Sequence, residues 1–414
     1  MKFSKLSQLF LVSTTGLLLA SLLTSCEIST IDYVFVADSA GSGTGAAGQI
    51  ETYAADSETG ALRAGPAPVP SGGVNPVALA VTSNYENLYV ANQGDSSTAP
   101  TVVHFDIATN GVLSAKETAS FSTVLTPVAL AVNTAGTDLF VAYNGSGANL
   151  SQLVTFPLSS GALGSSTGAG DVTLAIPGYP SDTIVPTGVN VLANGSAVYV
   201  TGYDQSAYNP GGSITSTANP GWVWGYTVGS GGALTPVSGS PWKAGIKPTS
   251  ITSDPANRFV YITDFASNEV IGYIVQSTSV LDFMVSGPYK TGNEPQAVTV
   301  DPRGLFVYIV NSLDSTVSAY DITLTTGAPS AAVSVTGTTA NSTDTTPVAI
   351  VVDPSLGRFV YTANLQGNSV SGFKLNPTTG VLTPTVSTPY PTGFKPTAVA
   401  SVPHGGHAIE TISP

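Results

Sequence analysis

Seven residues of this 414-residue chain stand immediately before a proline that opens an apolar run: Asn75, Thr126, Val185, Lys247, Glu294, Thr346 and Lys395. Three of them can do chemistry. A carboxylate such as Glu294 can serve as general base for water attacking a carbonyl carbon, and an ammonium such as Lys247 or Lys395 can stabilise the oxyanion that forms. Lys243 and Lys290 belong to the same class of segment. Clustered cations in an acidic protein would make a site for a carboxylate or phosphate. The alternative is a set of solvated loop charges with no shared role. A second group is aromatic: Tyr203, Tyr208, Trp222 and Trp224 lie in or beside the long polar segment from Asp204 to Trp222. Long loops on rigid scaffolds often carry function, and such rings suit a sugar or peptide. Equally, Trp222 and Trp224 read as strand residues packed in a core.

What would position these residues is a repeat. The proline-led runs are "NPVALAV", "TPVALAV", "VPTGVNV", "KPTSITS", "EPQAVTV", "TPVAIVV" and "KPTAVAS", at intervals of 51, 59, 62, 47, 52 and 49 residues. A second anchor is an aromatic residue in the next apolar run: Tyr33, Tyr89, Phe140, Tyr199, Tyr261, Tyr308 and Tyr361. It follows each of the first five prolines by 13 positions and Pro347 by 14, because "DPSLGRF" has one extra turn residue. Between proline and aromatic sit tight turns ("NTAG", "LANG", "DPANR", "DPRG", "DPSLG"), whose Asp, Asn, Pro and Gly are turn formers. A third run follows ("VVHFDI", "VIGYIV", "VSAYDI", "VSGFKL"), then a Gly-x-Leu turn at Gly60, Gly111, Gly161, Gly232 and Gly380, then a weaker fourth run.

Four antiparallel strands in about 50 residues, seven times over, reads as an all-β, seven-bladed β-propeller. A pair of β-sandwiches does not explain one period running the full length. The first aromatic run has no proline run before it, and "PTAVASV" at the other end is a surplus first strand. The C-terminal strand is therefore expected to complete the N-terminal blade and close the ring, leaving no open edge. In that geometry the residues before the prolines and the loops after the aromatic strands share one face, here called the top, around the channel mouth. The Asp-Pro turns share the bottom, where Arg258, Arg303 and Arg358 occupy equivalent places and are expected to pair with Asp254, Asp301 and Asp353.

The ends and the bulk set further bounds. Gly (44) and Pro (29) make about 18% of the chain and charged residues only 9%, which favours strands and turns over helices. Lys2 and Lys5, the apolar Leu9 to Leu23 and then "TSC" form a secretory signal pattern too short and too interrupted for a bilayer span. Cys26 is the only cysteine, which excludes an intramolecular disulfide. "Leu23-Thr24-Ser25-Cys26" resembles a bacterial lipobox, with Cys26 as the lipidated new N-terminus, and several acyl chains suffice for stable anchoring. The expected plan is a signal peptide at 1–25, a lipidated tether at 26–32, a propeller at 33–403 and a tail at 404–414. With Glu27 to Asp32 as tether, the bottom face would lie against the membrane of the cell envelope and the top would face outward. The chain from Cys26 on carries 10 Lys and Arg against 25 Asp and Glu, a formal −15, which excludes the basic surface nucleic-acid binding needs. A closed ring is expected to be a monomer. No triad, phosphate loop, dinucleotide fingerprint or His/Cys zinc cluster is present in the sequence, so no cofactor or metal is expected.

The motifs "LYVAN", "FVYITD", "FVYIVN" and "FVYTAN", each after a proline-led strand and a turn, resemble YVTN-type propeller repeats. With the "TGxL" hairpins they are similar to the seven-bladed lactonase family, which includes 6-phosphogluconolactonase-like proteins and carboxymuconate cyclase. The resemblance covers residues 33 to 402 and implies hydrolysis of a sugar lactone. The family's enzymes tend to carry His-containing loop signatures with Arg and Glu. Here His104 sits inside a strand, His404 and His407 lie in the tail, and none precedes a strand-opening proline. No family catalytic residue transfers. Two functions stand side by side: a lactonase-like hydrolase acting on an anionic sugar lactone, and a non-catalytic surface propeller binding a glycan, peptide or protein.

Overall fold

The computed structural model describes residues 29–39, 41, 46–121, 125–146, 150–166, 168, 170–179, 182–208, 220–332 and 340–405. Cys26, the signal segment, His407 and most of the long loop after Tyr208 lie outside them. Among the described residues no helix is long and apolar enough to cross a membrane.

Seven antiparallel sheets stand in a ring. Each runs from an inner strand through two further strands to an outer one; in six of them the outer strand is split into two short pieces. The seven inner strands are Phe394–Pro403, Pro76–Val81, Leu125–Val132, Ile184–Val191, Pro248–Ser253, Pro295–Val300 and Pro347–Val352. Each touches the next around the circle, so blades 1 to 7 close on themselves. The C-terminal strand pairs with Thr30–Ser39, Val34 opposite Ser401 and Val36 opposite Val399, and supplies blade 1 with its inner strand. The expected closure is therefore present.

There is no single central core. Seven apolar clusters lie one between each pair of neighbouring blades; that between blades 1 and 7, for example, joins Val34, Val36 and Tyr53 to Phe359, Tyr361 and Val370. The continuous burial belongs to the second strands, such as Phe259–Asp264, Phe306–Asn311 and Phe359–Asn364, which are buried at every position. The inner strands, equally apolar in sequence, are mostly half-buried because one of their faces lines the channel.

The two repeat anchors meet in space. Tyr199, Tyr261, Tyr308 and Tyr361 donate their hydroxyls to the carbonyls of Ser279, Gly327, Gly380 and Gly60, at 2.7, 2.7, 3.0 and 2.9 Å, each in the turn of the following blade. Tyr89 does the same to Gly161. The receiving glycines have positive φ, +68° at Gly380, and a side chain there would run into the Phe306 ring. Replacing Tyr361 by Phe strands a buried carbonyl and is expected to cost about 1–3 kcal/mol; chemical denaturation of wild type and variant measures it.

Blade 1 corrects one reading. Tyr33 packs over Gly111, the place that Phe259, Phe306 and Phe359 hold against the glycine turns of their own next blades. Phe35, not Tyr33, is thus the counterpart of the central tyrosines. With no proline strand ahead of it in the chain, blade 1 offered no 13-residue ruler. The first strand also begins at Thr30, so three residues, Glu27 to Ser29, separate it from Cys26 where six were expected.

At the bottom, Asp254 and Asp301 accept the backbone N–H groups that follow their turns and pair with Arg258 (2.8 Å) and Arg303 (3.3 Å). Arg303 also donates to the Gly357 carbonyl of blade 7 at 3.0 Å, tying two blades. Arg358 does not join the pattern: Asp353 binds its backbone N–H, while its side chain is exposed. The extra residue in that turn brings Ser355 onto Asp32 of blade 1. Asp32 is wholly buried, with one carboxylate oxygen unpartnered. Burial and then the charge of Asp353 hold its carboxyl well above the usual range, against the bond from Ser355. The folded protein thus keeps a proton that the unfolded chain releases above about pH 4. Its contribution is complete below that pH and is lost as pH rises through the folded value. Asp32→Asn is expected to melt higher than wild type in mildly alkaline buffer, with the gap closing towards acid; melting curves across pH measure this.

Candidate functional site at the channel mouth

The top face is built by one device used repeatedly. The residue before the proline offers its carbonyl to the residue that follows the second strand: Asn75 to the N–H of Gln93 (2.9 Å), Lys247 to Phe265 (3.0 Å), Glu294 to Ser312 (2.9 Å) and Thr346 to Leu365 (2.8 Å). Asn75, Glu294, Thr346 and Lys395 hold left-handed backbone, φ 55–58°. For non-glycine residues that conformation is rare. Here the preceding blade enforces it: the N–H groups of Glu294 and Lys395 donate to the side-chain oxygens of Asn268 (2.9 Å) and Asn368 (2.8 Å). Thr126 and Val185, by contrast, already lie inside their inner strands.

Lys247 and Glu294 lie within reach of each other's charge without forming an ion pair among the described residues. The backbone N–H of Lys247 is held by Asp264 at 2.9 Å. Its ammonium lies 4.0 Å from the centre of the Phe265 ring and 5.4 Å from that of Tyr208. Burial draws its pKa below the ordinary lysine value, and the nearby Glu294 charge opposes that shift. The Tyr208 hydroxyl is pushed up by burial, then by Asp264 and Glu294. These groups therefore share one electrostatic environment, spanning blades 4 to 6. The Glu294 carboxylate is half-buried, 3.5 Å from the Ser312 hydroxyl. Lys395 is exposed, its ammonium 5.2 Å from the Phe394 ring, and Asn75 donates its amide to the Gly94 carbonyl at 2.8 Å.

The remaining residues separate. Tyr203 meets Tyr208 edge to face at 5.2 Å. Trp222 carries the Lys243 ammonium 3.6 Å above its ring. Trp224 is not part of any platform: it is 2% exposed, packed between blades 3 and 4, and donates its indole N–H to the Ala175 carbonyl at 2.9 Å. Side chains alternate faces along a strand, so Trp222 and Trp224 share one face while Val223 lies on the other, and depth along the strand sets their different exposure. Lys243 and Lys290 are not beside the axis either. They sit on the short outer strands Trp242–Lys243 and Tyr289–Lys290, and Lys290 pairs with Glu269 at 2.7 Å. His104 is structural, buried in blade 2 between Glu117 (2.7 Å) and Asn87 (2.9 Å) and stacked on Tyr89. His404 closes the bottom, its N–H on the Ile31 carbonyl (2.7 Å) and its ring against Tyr33. Among the described residues no group of three or more His, Cys, Asp or Glu stands together as a metal cluster.

Sequence reasoning missed Ser312, Phe265 and Asn268, which hold the mouth in shape. The signal was present: each stands at a fixed distance after "ITD" or "IVN".

Comparison with known proteins agrees with the architecture. Residues 239–404 match the model of a family described as lactonase, 7-bladed beta-propeller. The fold is similar to the periplasmic gluconolactonase of Pseudomonas aeruginosa, with TM-score 0.71 at 17% identity, covering 91% of this chain and 100% of that one. It is also similar to candidate 6-phosphogluconolactonases of Bacteroides fragilis (TM-score 0.67, 18% identity, 91% and 99% covered) and Bacteroides uniformis (0.67, 17%, 90% and 100%). No curated protein matches the sequence.

Proposed function

We propose that this chain, a lactonase-type seven-bladed propeller by its fold and by the family match over residues 239–404, hydrolyses an anionic sugar lactone at the top mouth of its channel. The observation that carries the reading is Lys247: an ammonium half-removed from water, held over Phe265 and Tyr208, with the Glu294 carboxylate as its opposing charge. In this reading Glu294 takes the proton of the attacking water. Lys247 stabilises the oxyanion, and Lys395, two blades on from Glu294 around the rim, draws in a carboxylate or phosphate. Tyr203 and Tyr208 wall the blade 4 side of the mouth beside Lys247. The lactonase names of the structural neighbours are in keeping with it. The lipid at Cys26 belongs to the same proposal. The first described strand enters and the closing strand leaves at the bottom face, the Ile31 carbonyl accepting the N–H of His404, so a three-residue tether would set that face on an envelope membrane and leave the mouth outward.

The second reading, a binding propeller without catalysis, is favoured by the histidines: His104 and His404 are both taken up in packing, far from the mouth residues in the fold. Initial rates on a panel of sugar lactones with and without phosphate separate the two. Turnover above the spontaneous rate, highest for an anionic lactone, is expected; no turnover on any of them would leave the binding reading.

A further inference from the structure

Arg258 and Arg358 stand directly before Phe259 and Phe359, the aromatics that open their second strands. In blade 5 one oxygen of Asp254 accepts the N–H groups of Arg258 and Phe259, and the other takes the Arg258 guanidinium at 2.8 Å. Blade 7 has the extra turn residue, and its Asp353 is used differently. One oxygen accepts the N–H groups of Arg358 and Phe359, the other those of Leu356 (2.9 Å) and Gly357 (3.2 Å). Backbone donors fill both oxygens, and the Arg358 guanidinium is left over. It is exposed and has no hydrogen bond or ion pair among the described residues.

A second cation stands beside it. The Leu375 N–H donates to the Arg358 carbonyl at 2.6 Å, which fixes the strand that carries Lys374 against the Arg358 turn. The Lys374 ammonium donates to the Glu58 carbonyl of blade 1 at 3.2 Å and pairs with no carboxylate among the described residues. An ammonium has three protons to donate, so the rest remain. Arg358 and Lys374 line one cavity of about 520 Å³, together with Asn376 and the apolar Leu375, Pro377 and Val381. Asn376 spends its amide oxygen on the N–H groups of Thr378 (3.0 Å) and Thr379 (3.2 Å), which leaves its NH₂ as a further donor. Among the described residues no Asp or Glu lines the cavity, in a chain of formal charge −13. Single surface cations are ordinarily solvated and do little; these two share a concavity that holds no counter-charge. The cavity lies at the bottom, beside the point where the first described strand enters. Ser29 accepts the Ser57 N–H at 2.9 Å, and the next residue, Glu58, is the one that holds Lys374.

We propose that Arg358 and Lys374, with the Asn376 amide, bind a phosphate group at the bottom of blade 7. A guanidinium offers a phosphate two parallel N–H donors, and an ammonium and an amide serve its remaining oxygens. Donors from three side chains suit a tetrahedral oxyanion, whereas the guanidinium alone would satisfy a planar carboxylate. The apolar lining suits the carbon part of a phosphate ester. Two sources share this chemistry, the phosphodiester of a lipid headgroup and a soluble phosphate. The lipid source rests on the anchored orientation proposed above, in which this face lies on the membrane; the phosphate site itself does not. With a lipid bound, the site would hold the tethered domain in one orientation and offset the repulsion between an acidic protein and anionic lipid.

Phosphorus NMR linewidths of inorganic phosphate, and separately of glycerophosphoglycerol, read the site when titrated with the purified full-length protein in an uncharged detergent. Saturable broadening with a dissociation constant of about 1–10 mM is expected. Arg358→Ala and Lys374→Ala should each weaken it about tenfold, and Arg358→Lys less. Lys116→Ala in blade 2, an equal change of charge, should leave it unmoved. Both cavity cations are exposed, so the variants are expected to melt as wild type does. Flotation with phosphatidylcholine vesicles, with and without phosphatidylglycerol, identifies the source, using full-length chains that carry Cys26→Ser so that no acyl chain contributes. Loss of the phosphatidylglycerol-dependent part in Arg358→Ala/Lys374→Ala is the expected result. Unchanged flotation of that variant, with its phosphate broadening lost, assigns the site to a soluble phosphate. A processed N-terminus without acyl chains, read by mass spectrometry, would remove the anchor and leave the phosphate result standing. No broadening by wild type, or equal broadening by the folded Arg358→Ala and Lys374→Ala variants, overturns the proposal.

Discussion

Glu294→Gln is expected to lower kcat/KM for a sugar lactone by about 10²–10⁴-fold while leaving the melting midpoint in place. The two effects separate because the residue's structural work is done by its backbone. Its N–H is held by Asn268, and its carbonyl accepts both the N–H and the hydroxyl of Ser312. Among the described residues the carboxylate itself has only the 3.5 Å contact with Ser312. Glutamine keeps that contact and the left-handed backbone but cannot take a proton from water. Lys247→Ala removes the oxyanion partner and is expected to cost about 10²–10³-fold in kcat. Steady-state kinetics beside a thermal melt measures both. A melt lowered by several degrees would make Glu294 a structural residue and remove its assigned role.

The second large effect is in the ring. Deleting the chain after Gly393 removes the strand Phe394–Pro403, the inner strand of blade 1. It takes away Val402, 1% exposed in the cluster with Tyr33 and Phe35 of blade 1 and Leu88 of blade 2. It also strips the inner-side partners from Thr30–Ser39 and opens an edge of six apolar or aromatic residues to pairing with other chains. The truncated protein is expected to lose cooperative melting and to aggregate. Size exclusion with circular dichroism tests this; a folded monomer with the wild-type midpoint would mean that the remaining six blades hold blade 1 unaided.

Much of this fold is legible in the chain because a propeller repeats its local chemistry. The proline, the turn Asp and the central Tyr each answer a backbone or packing need that recurs in every blade. That the Tyr hydroxyl bonds the Gly-x-Leu turn of the next blade is not legible, since it joins residues 72 positions apart at Tyr308 and 301 apart at Tyr361. The outer strands are only two or three residues in places, too short for a pattern. Lys243 and Lys290 share their class of segment with the mouth residues in sequence, yet lie on these short outer strands. Trp222 and Trp224 share one face by period, yet only depth in the blade decides that one meets Lys243 and the other is buried. At the mouth, the spacing of Lys247, Glu294 and Lys395 before their prolines gave the face and the ring order. Their neighbours Phe265, Tyr208 and Ser312 come from other turns, and only the folded backbone brings them in.

The central claim is that the mouth is a catalytic site. The direct measurement is lactone hydrolysis by wild type beside the variant Lys247→Ala/Glu294→Ala/Lys395→Ala, with the spontaneous rate subtracted and folding checked by circular dichroism. Turnover by wild type and its loss in the folded triple variant is the expected result. Turnover at the wild-type rate in that variant would contradict the claim and move the chemistry to another part of the propeller.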